Sequence, residues 1–451
     1  MLEQKSLSAL VEAAKKLDGG FAKLPALESD APGMARISEV LNATAERLQD
    51  NYPYFHPLYA GQMLKPPHPV ARLAYALALW INPNNHALDG GRATSAMEKE
   101  AVAAIAAMFG WKNFLGHLCG GGTMANLEAL WVARQLHPGK KILASEQAHY
   151  THSRISGVLQ SPFETVACDA RACMDVDQLA KRLKQGDVGT VVTTMGTTAT
   201  GSVDPLPEIL ALREKHGFRV HADAAYGGYF VLAGNLGEAA ARAFARIGEA
   251  DSIVIDPHKH GLQPYGCGCV LFRDPGVGRL YKHDSPYTYF SSADLHLGEI
   301  SLECSRPGAA AAALWATQKL LPLEKGGDFA RGLERGRKAA LTLFEKIQED
   351  SRFAAAFVPE LDIVVFVPGA PSASAASMLT RKIFEEAAQR DLHLAVAELP
   401  AAFWGKNLGA MKRDRETLTC LRSVLMKPEH LDWVGRIWEQ LSGATEAALK
   451  I

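Results

Sequence analysis

Residues 252–261 read SIVIDPHKHG and residues 218–228 read FRVHADAAYGG, and these two stretches decide the predicted fold. Each contains a short apolar, β-branched run of the length typical of a buried strand. Lys259 follows the first run, and Asp223 ends the second. Open parallel α/β sheets bind their ligands beyond the carboxyl ends of the strands. The sequence therefore predicts that this lysine and this aspartate face one ligand site.

The alternation of strands and helices extends over residues 115–275. Short runs such as KILAS, VGTVVTT and GCVLFR are separated by helical stretches such as VDQLAKRLKQ and LPEILALREKHG. This pattern is typical of a mostly parallel sheet covered by helices. After Arg306 the pattern changes to helices paired with the strands DIVVFVP and TLTCLRSVL, which indicates a small α+β unit. Ser95 and Glu98 form a capping-box pattern, which predicts that a helix begins there.

The chain has 451 residues, enough for more than one domain. We expect an N-terminal helical arm (1–55), a large α/β domain (56–325) and a small C-terminal α+β domain (326–451). Lys and Arg number 48 against 49 Asp and Glu, which gives no reason to expect nucleic acid or a membrane as a partner. Seven scattered cysteines without C-x-x-C spacing, and an N-terminus without a signal-peptide core, favour a cytoplasmic protein.

A glycine-rich turn, Gly120-Gly121-Gly122-Thr123, lies between a predicted strand and a predicted helix. Backbone N–H groups at a helix N-terminus attract anions, and glycines let a phosphate approach the backbone. The turn also satisfies the dinucleotide pattern G-x-G-x-x-A, so an NAD-dependent oxidoreductase is an alternative. A tight turn with a purely structural role is a second alternative.

A lysine that can form a Schiff base and an aspartate that can hold a protonated ring nitrogen are the minimum that pyridoxal phosphate (PLP) requires. Burial disfavours the charge of a lysine such as Lys259, which makes its nucleophilic neutral form accessible. Ala225 and the glycines after Asp223 leave room for a flat ring. Either residue alone could be structural, but together they favour a cofactor site.

Two further stretches follow predicted strands. His149, in AHYTHS, could stack on a ring, and Thr197, in TTMGTTATGSVDP, offers a hydroxyl at a wall of the same cavity. The His149–His152 spacing differs from that of zinc motifs, so we predict no metal.

In this order, GGTMANLEAL, AHYTHS, TTMGTTATGSVDP, HADAAYGG and DPHKHGLQPYGCGCVLFRD resemble the group II PLP-dependent amino-acid decarboxylases. The last motif is most similar to the compact archaeal-type tyrosine/aspartate decarboxylases, and SRPGAAAAALWA also resembles sphingosine-phosphate lyase. The resemblance implies the aspartate aminotransferase-like fold (fold type I) of PLP-dependent transferases. It also implies a homodimer with each active site at the interface, and decarboxylation of an aromatic or acidic L-amino acid to an amine and CO2.

The resemblance also implies roles for individual residues. Lys259 would hold PLP covalently, Asp223 would face the pyridine nitrogen, and His149 and Ala225 would pack on opposite faces of the ring. The phosphate neighbourhood would comprise Gly121, Gly122, Thr123 and His258.

Substrate roles are implied by three looser matches. Tyr287, with Tyr289 as a rival, resembles the tyrosine of a mobile loop that acts near Cα. Arg422 resembles an arginine near the substrate carboxylate, and His56 a histidine at the substrate entrance. For Arg306 both a structural role and a substrate contact remain open.

The chain departs from the family at the phosphate turn, where Cys119 and Gly120 replace the usual serine or threonine and Met124 replaces a glutamate. Other PLP chemistries are therefore weighed as well. A carbon–carbon lyase is one alternative. A cysteine desulfurase is another, but it requires an exposed nucleophilic cysteine, and Cys420 is expected to be buried in a strand. A catalytically inactive scaffold is disfavoured because Lys259, Asp223 and His149 are all present.

Overall fold

The computed structural model describes residues 3–25, 33–86, 89–282 and 300–450. The helices are α1 (Gln4–Gly19), α2 (Met34–Leu48), α3 (Pro69–Leu79), α4 (Arg92–Met108), α5 (Gly122–Leu136), α6 (Thr151–Val158), α7 (Val176–Leu183), α8 (Leu206–His216), α9 (Glu238–Ala245), α10 (Gly278–Tyr281), α11 (Gly308–Leu320), α12 (Asp328–Glu349), α13 (Ala373–Ala388) and α14 (His430–Lys450). The strands are β1 (Leu115–Cys119), β2 (Lys141–Ser145), β3 (Phe163–Val166), β4 (Val188–Thr194), β5 (Arg219–Asp223), β6 (Ser252–Ile255), β7 (Gly268–Phe272), β8 (Phe353–Ala355), β9 (Ile363–Pro368), β10 (Ala395–Pro400) and β11 (Thr417–Val424).

The larger sheet has seven strands in the order β1-β7-β6-β5-β4-β2-β3. Strands β2 to β6 pair in parallel, and β7 runs antiparallel to both of its neighbours. All residues of β4, β6 and β7 are buried, as expected for strands covered by helices on both faces. The predicted mostly parallel sheet is confirmed.

Parallel pairing brings the carboxyl ends of β4, β5 and β6 to one edge. Thr194 at the end of β4 is in register with Asp223 at the end of β5, and Asp223 is in register with Val254 near the end of β6. The loops that follow these three adjacent strands therefore begin side by side. The residues predicted to be functional lie at the strand ends or in these loops.

The smaller sheet has four antiparallel strands in the order β10-β11-β9-β8. Apolar side chains of α12, α13 and α14 pack against it, including Leu343, Ile383 and Ile437 around Phe366 and Leu421. This arrangement is the predicted small α+β unit.

The helix that contains Ser95 and Glu98 begins one turn earlier than predicted. Helix α4 begins at Arg92, so both residues lie inside it, and both are buried. Glu98 does not cap the helix: its carboxylate accepts hydrogen bonds from Arg306 (2.6 Å) and from the Leu118 N–H (3.0 Å). The prediction of a capping box was therefore wrong, because the Glu98 carboxylate binds an arginine that is distant in the sequence.

Helices α1 and α2 have no buried residue. Apolar side chains such as Val11, Val40 and Leu41 are more than half exposed. Among the described helices, none is both long enough and apolar enough to cross a membrane.

Candidate active site

A cavity of about 790 Å³ lies at the carboxyl ends of the central strands. It is lined by residues of the turn before α5, the start of α6 and the loops after β4, β5 and β6. Of the residues predicted as site residues, the following line it: Gly121, Gly122, Thr123, His149, Asp223, Ala225, His258 and Lys259. The cavity is large enough for a small-molecule ligand of the size typical of cofactor sites.

The glycine-rich turn forms one end of the cavity. Gly121 has a φ of 144°, a conformation that favours glycine, and it precedes the first residue of α5. The turn also lies against β7, because a Cβ on Gly268 would come within 2.6 Å of the Gly121 Cα. The first N–H groups of a helix have no acceptor within the helix, so α5 presents donors to an anion here.

Lys259 lies in the turn that follows β6, and its Nζ is 3.1 Å from Asp256 Oδ2. Asp256 is only 2% exposed, and its Oδ1 has no hydrogen-bond partner among the described residues. The sequence predicted that burial disfavours the charge of Lys259 and named no partner for it, whereas the structure places a carboxylate beside it. Asp256 stands in the quoted DPHKHG stretch, and its place three residues before the lysine was the available clue.

His258 is the third side chain of this turn. Its Nδ1 donates to the carbonyl oxygen of Cys267 (2.9 Å), which leaves Nε2 facing Asp256 Oδ2 at 3.4 Å. Burial lowers the pKa of His258 despite the adjacent carboxylate. The neutral imidazole therefore presents a lone pair at Nε2.

Asp223 ends β5 and is 5% exposed. Its Oδ2 accepts a hydrogen bond from His152 Nε2 (2.8 Å), and its Oδ1 accepts one from the Ala225 N–H (3.2 Å). Burial alone would raise the pKa of Asp223, but the hydrogen bond and charge of His152, with the charge of Lys259, hold it below the usual value. Asp223 thus presents an anion to the cavity, and His152 is a contributor that sequence reasoning did not assign.

His149 reaches the cavity from the connection between β2 and α6. Its Nδ1 lies 2.8 Å from the Thr151 hydroxyl. Burial lowers its pKa, so the ring is neutral at physiological pH. A neutral half-buried imidazole is suited to packing against a flat ring.

Thr197 does not line the cavity. Its hydroxyl lies 2.7 Å from the Thr200 hydroxyl and accepts from the Ser202 N–H, so it stabilises the loop itself. Thr194 and Thr198 line the cavity in its place.

Two of the residues predicted for substrate roles, Arg422 and His56, lie outside the cavity lining. Arg422, on β11, donates to the carbonyl oxygens of Thr198 (2.7 Å) and Ala199 (3.0 Å) and is only 4% exposed. His56 packs edge-on against Trp433, with ring centroids 4.8 Å apart. Tyr287 falls outside the described residues.

Arg306 does not line the cavity either. Its guanidinium donates to Glu98 and to the Leu118 carbonyl (2.7 Å), one residue before Cys119. These contacts support the strand that leads into the glycine-rich turn, which is a structural role.

Comparison with known proteins identifies the family of this chain. Residues 48–368 match the family model described as the pyridoxal-dependent decarboxylase conserved domain. The L-tyrosine decarboxylase of Enterococcus faecium is 30% identical over 390 residues, which cover 64% of this chain and 64% of that protein. The probable L-tyrosine/L-aspartate decarboxylase of Methanothermobacter thermautotrophicus is 28% identical over 315 residues, which cover 68% of this chain and 82% of that protein.

Solved structures share the fold at lower identity. Mouse CSAD superposes with a TM-score of 0.77 at 20% identity, covering 98% of this chain and 99% of that one. The tryptophan decarboxylase of Catharanthus roseus gives a TM-score of 0.75 at 16% identity, covering 99% of each chain. With its matching domain and its fold type I architecture, the chain belongs to the pyridoxal-dependent decarboxylases, a family of carboxy-lyases that use PLP.

Proposed function

We propose that this protein uses PLP to decarboxylate an L-amino acid, with the corresponding amine and CO2 as products. One observation carries the proposal: Lys259 and the anionic Asp223 leave adjacent parallel strands and face the same cavity. The glycine-rich turn at the start of α5 lies at the same cavity and suits a phosphate. The residues present therefore fit PLP.

The proposed roles follow from these positions. Lys259 attaches the cofactor, and Asp223 holds a proton on the ring nitrogen, because its carboxylate is anionic and buried. His149 packs on one ring face and Ala225 on the other. Gly121, Gly122, Thr123 and His258 surround the phosphate. Bound PLP supplies the electron sink for the carbanion that forms at Cα when CO2 leaves.

Substrate contacts are proposed for residues around the cavity as well. We assign His56 to the substrate entrance and Arg422 to the neighbourhood of the substrate carboxylate. Arg422 stands directly behind Thr198, whose carbonyl it binds and which lines the cavity. Thr197 supports the same wall through its neighbours. Tyr287, with Tyr289 as its rival, stays the residue proposed to act near Cα.

The substrate side chain is proposed to be aromatic or acidic. Relatives named as tyrosine, aspartate and aspartate/glutamate decarboxylases support both classes. The chain spans 64% of the length of the Enterococcus faecium enzyme.

We further propose a cytoplasmic homodimer with the active site at the interface. Helices α1 and α2 expose apolar side chains and bury none, which fits an arm that packs on a second copy. The division into 1–55, 56–325 and 326–451 is retained as the domain proposal, since the two sheets fall on either side of residue 325.

The test is a screen of the common L-amino acids for CO2 release by the PLP-loaded protein, with Lys259→Ala as the control. We expect one side-chain class to release CO2 and the amine, and the variant to release neither. Aldehyde or sulfide as the product, without CO2, would instead identify a carbon–carbon lyase or a desulfurase. Cys420 offers no support for the latter, because burial raises its pKa to about 12.

A further inference from the structure

The anion-binding end of the cavity also contains a carboxylate. Asp256 packs flat against Gly122, the first residue of α5, since a Cβ on this glycine would lie 2.7 Å from Asp256 Oδ2. Its other oxygen, Oδ1, is buried without a partner among the described residues. A phosphate held by the start of α5 would therefore face this carboxylate.

His258 does not offset the negative charge in its neutral form. Its proton is on Nδ1, which donates to the Cys267 carbonyl, and its Nε2 faces Asp256 with a lone pair. Lys259 is the cation that pairs with Asp256, at 3.1 Å. Covalent attachment of Lys259 to a cofactor would use this nitrogen, which would then no longer be the free ammonium that pairs with Asp256.

The surroundings do not supply a replacement at Asp256. Within the described part of the chain, Lys259 is the one Lys or Arg side chain that forms an ion pair with Asp256. The other ionisable groups that act on the pair or line the same cavity are His149, Tyr150, Arg154, Asp223, Tyr226, Tyr229, Tyr265, Cys267, Cys269 and Glu303. Of these, Glu303 adds a second carboxylate beside the turn, where it accepts from the Gly120 N–H (2.9 Å).

We propose that binding of the cofactor phosphate takes up one proton, which resides on His258 Nε2 beside the Asp256 carboxylate. With that proton, His258 donates to the phosphate while Asp256 stabilises the imidazolium. Without it, a phosphate dianion would face a carboxylate and a lone pair in a buried site, where like charges repel strongly. Asp256 would then act as a positioning residue that makes cofactor retention sensitive to pH. This inference rests on the proposed function, because it requires PLP at Lys259.

The test compares PLP with 5′-deoxypyridoxal, which keeps the aldehyde and lacks the phosphate. Titrations are followed by the visible absorption of the bound cofactor between pH 7.5 and pH 8.5, where the phosphate (second pKa about 6) is a dianion. Uptake of one proton requires the Kd of PLP to rise about tenfold over this pH unit relative to that of 5′-deoxypyridoxal. Both aldehydes react with Lys259, so the titration of the lysine affects both Kd values equally. The ratio of the two Kd values is therefore independent of that titration.

Two variants complete the design. The double substitution Asp256→Asn with His258→Gln offers N–H donors without a titrating proton, so we expect the ratio to become independent of pH. Calorimetry of PLP binding in two buffers of different ionisation enthalpy counts the protons directly in the unmodified protein. A PLP affinity that is as insensitive to pH as that of 5′-deoxypyridoxal overturns the inference. Failure of both aldehydes to bind at Lys259 overturns the proposed function instead.

Discussion

His152 Nε2 lies 2.8 Å from Asp223 Oδ2, and both side chains are buried. The carboxylate that faces the cavity is thus held from behind by an imidazole whose Nδ1 has no partner among the described residues. This contact keeps the pKa of Asp223 low against the opposing effect of burial. Because a protonated Asp223 cannot hold a proton on the ring nitrogen, His152 is expected to influence catalysis without touching the substrate.

Replacement of His152 by leucine is therefore expected to lower kcat and to move the acid limb of the pH–rate profile to higher pH. A hydrogen bond to a charged group contributes about 1.5–3 kcal/mol, so the loss in kcat should be about tenfold or more. His152→Gln retains an N–H donor and should restore part of the activity. Visible spectra of the PLP-bound variants report the change at the ring independently of turnover.

The matched control is His117→Leu. His117 is also a fully buried histidine paired with a carboxylate, 2.9 Å from Glu128, but it does not line the cavity. We expect this variant to lose stability and to keep the acid limb in place. An unchanged acid limb in His152→Leu as well would show that His152 is only structural.

The strands around the site were predictable because their local pattern and their tertiary role agree. Runs such as SIVI and VGTVVTT are apolar and β-branched, and they occupy the centre of the sheet. The convergence of Lys259 and Asp223 followed from the rule that parallel strands carry ligands at their carboxyl ends. Local sequence was therefore sufficient to locate the cavity.

Other contacts were not predictable, because they depend on partners far away in the chain. Glu98 fits a capping box locally, yet its partner Arg306 lies more than two hundred positions later. Thr197 and Thr198 are neighbours of the same type, and only the loop geometry decides that Thr198 faces the cavity. Strands β8 and β10 and helix α14 were also not predicted.

The buried pair of Arg306 and Glu98 is expected to be important for stability. Their atoms lie 2.6 Å apart, with side chains only 4% and 2% exposed. Removing one partner leaves an uncompensated buried charge, so Arg306→Met should lower the free energy of unfolding by about 3–5 kcal/mol. Urea unfolding measures the loss. Arg242→Met breaks the exposed pair with Glu208 and should cost about 1 kcal/mol or less; equal losses in the two variants would contradict the prediction.

Stability should fall in mild acid because two histidines are buried in neutral form. Burial, with the charge of His152, lowers the pKa of His221 to about 3, and burial, with the charge of Lys427, lowers that of His430 to about 3. Unfolding exposes both to water, where the pKa is about 6.5. Between these values the unfolded chain binds more protons, so stability decreases as pH falls from 6.5 to 3.

Each histidine should contribute up to about 1.4 kcal/mol for each pH unit in this window. Urea unfolding at a series of pH values gives the slope, and His430→Asn should reduce it by up to one proton. At pH 7.5 the His430 side chain is neutral in the folded and in the unfolded chain. The difference in unfolding free energy between the two proteins at this pH therefore gives the packing cost of the substitution. A variant with an unreduced acid slope would show that His430 is not the titrating group.

The exposed apolar side chains of α2 predict where a second copy packs. Val40 and Leu41 are 59% and 62% exposed although the helix is amphipathic. Desolvating a charge at an interface is costly, so Leu41→Asp should shift the proposed dimer to monomer in sedimentation velocity. Met378→Asp introduces the same charge at a residue that is equally exposed on α13, and it should leave the dimer intact.

If the active site is built across the interface, the Leu41→Asp monomer should lose turnover while each chain keeps its thermal stability. A dimer that persists in Leu41→Asp and dissociates in Met378→Asp would place the interface on α13 instead.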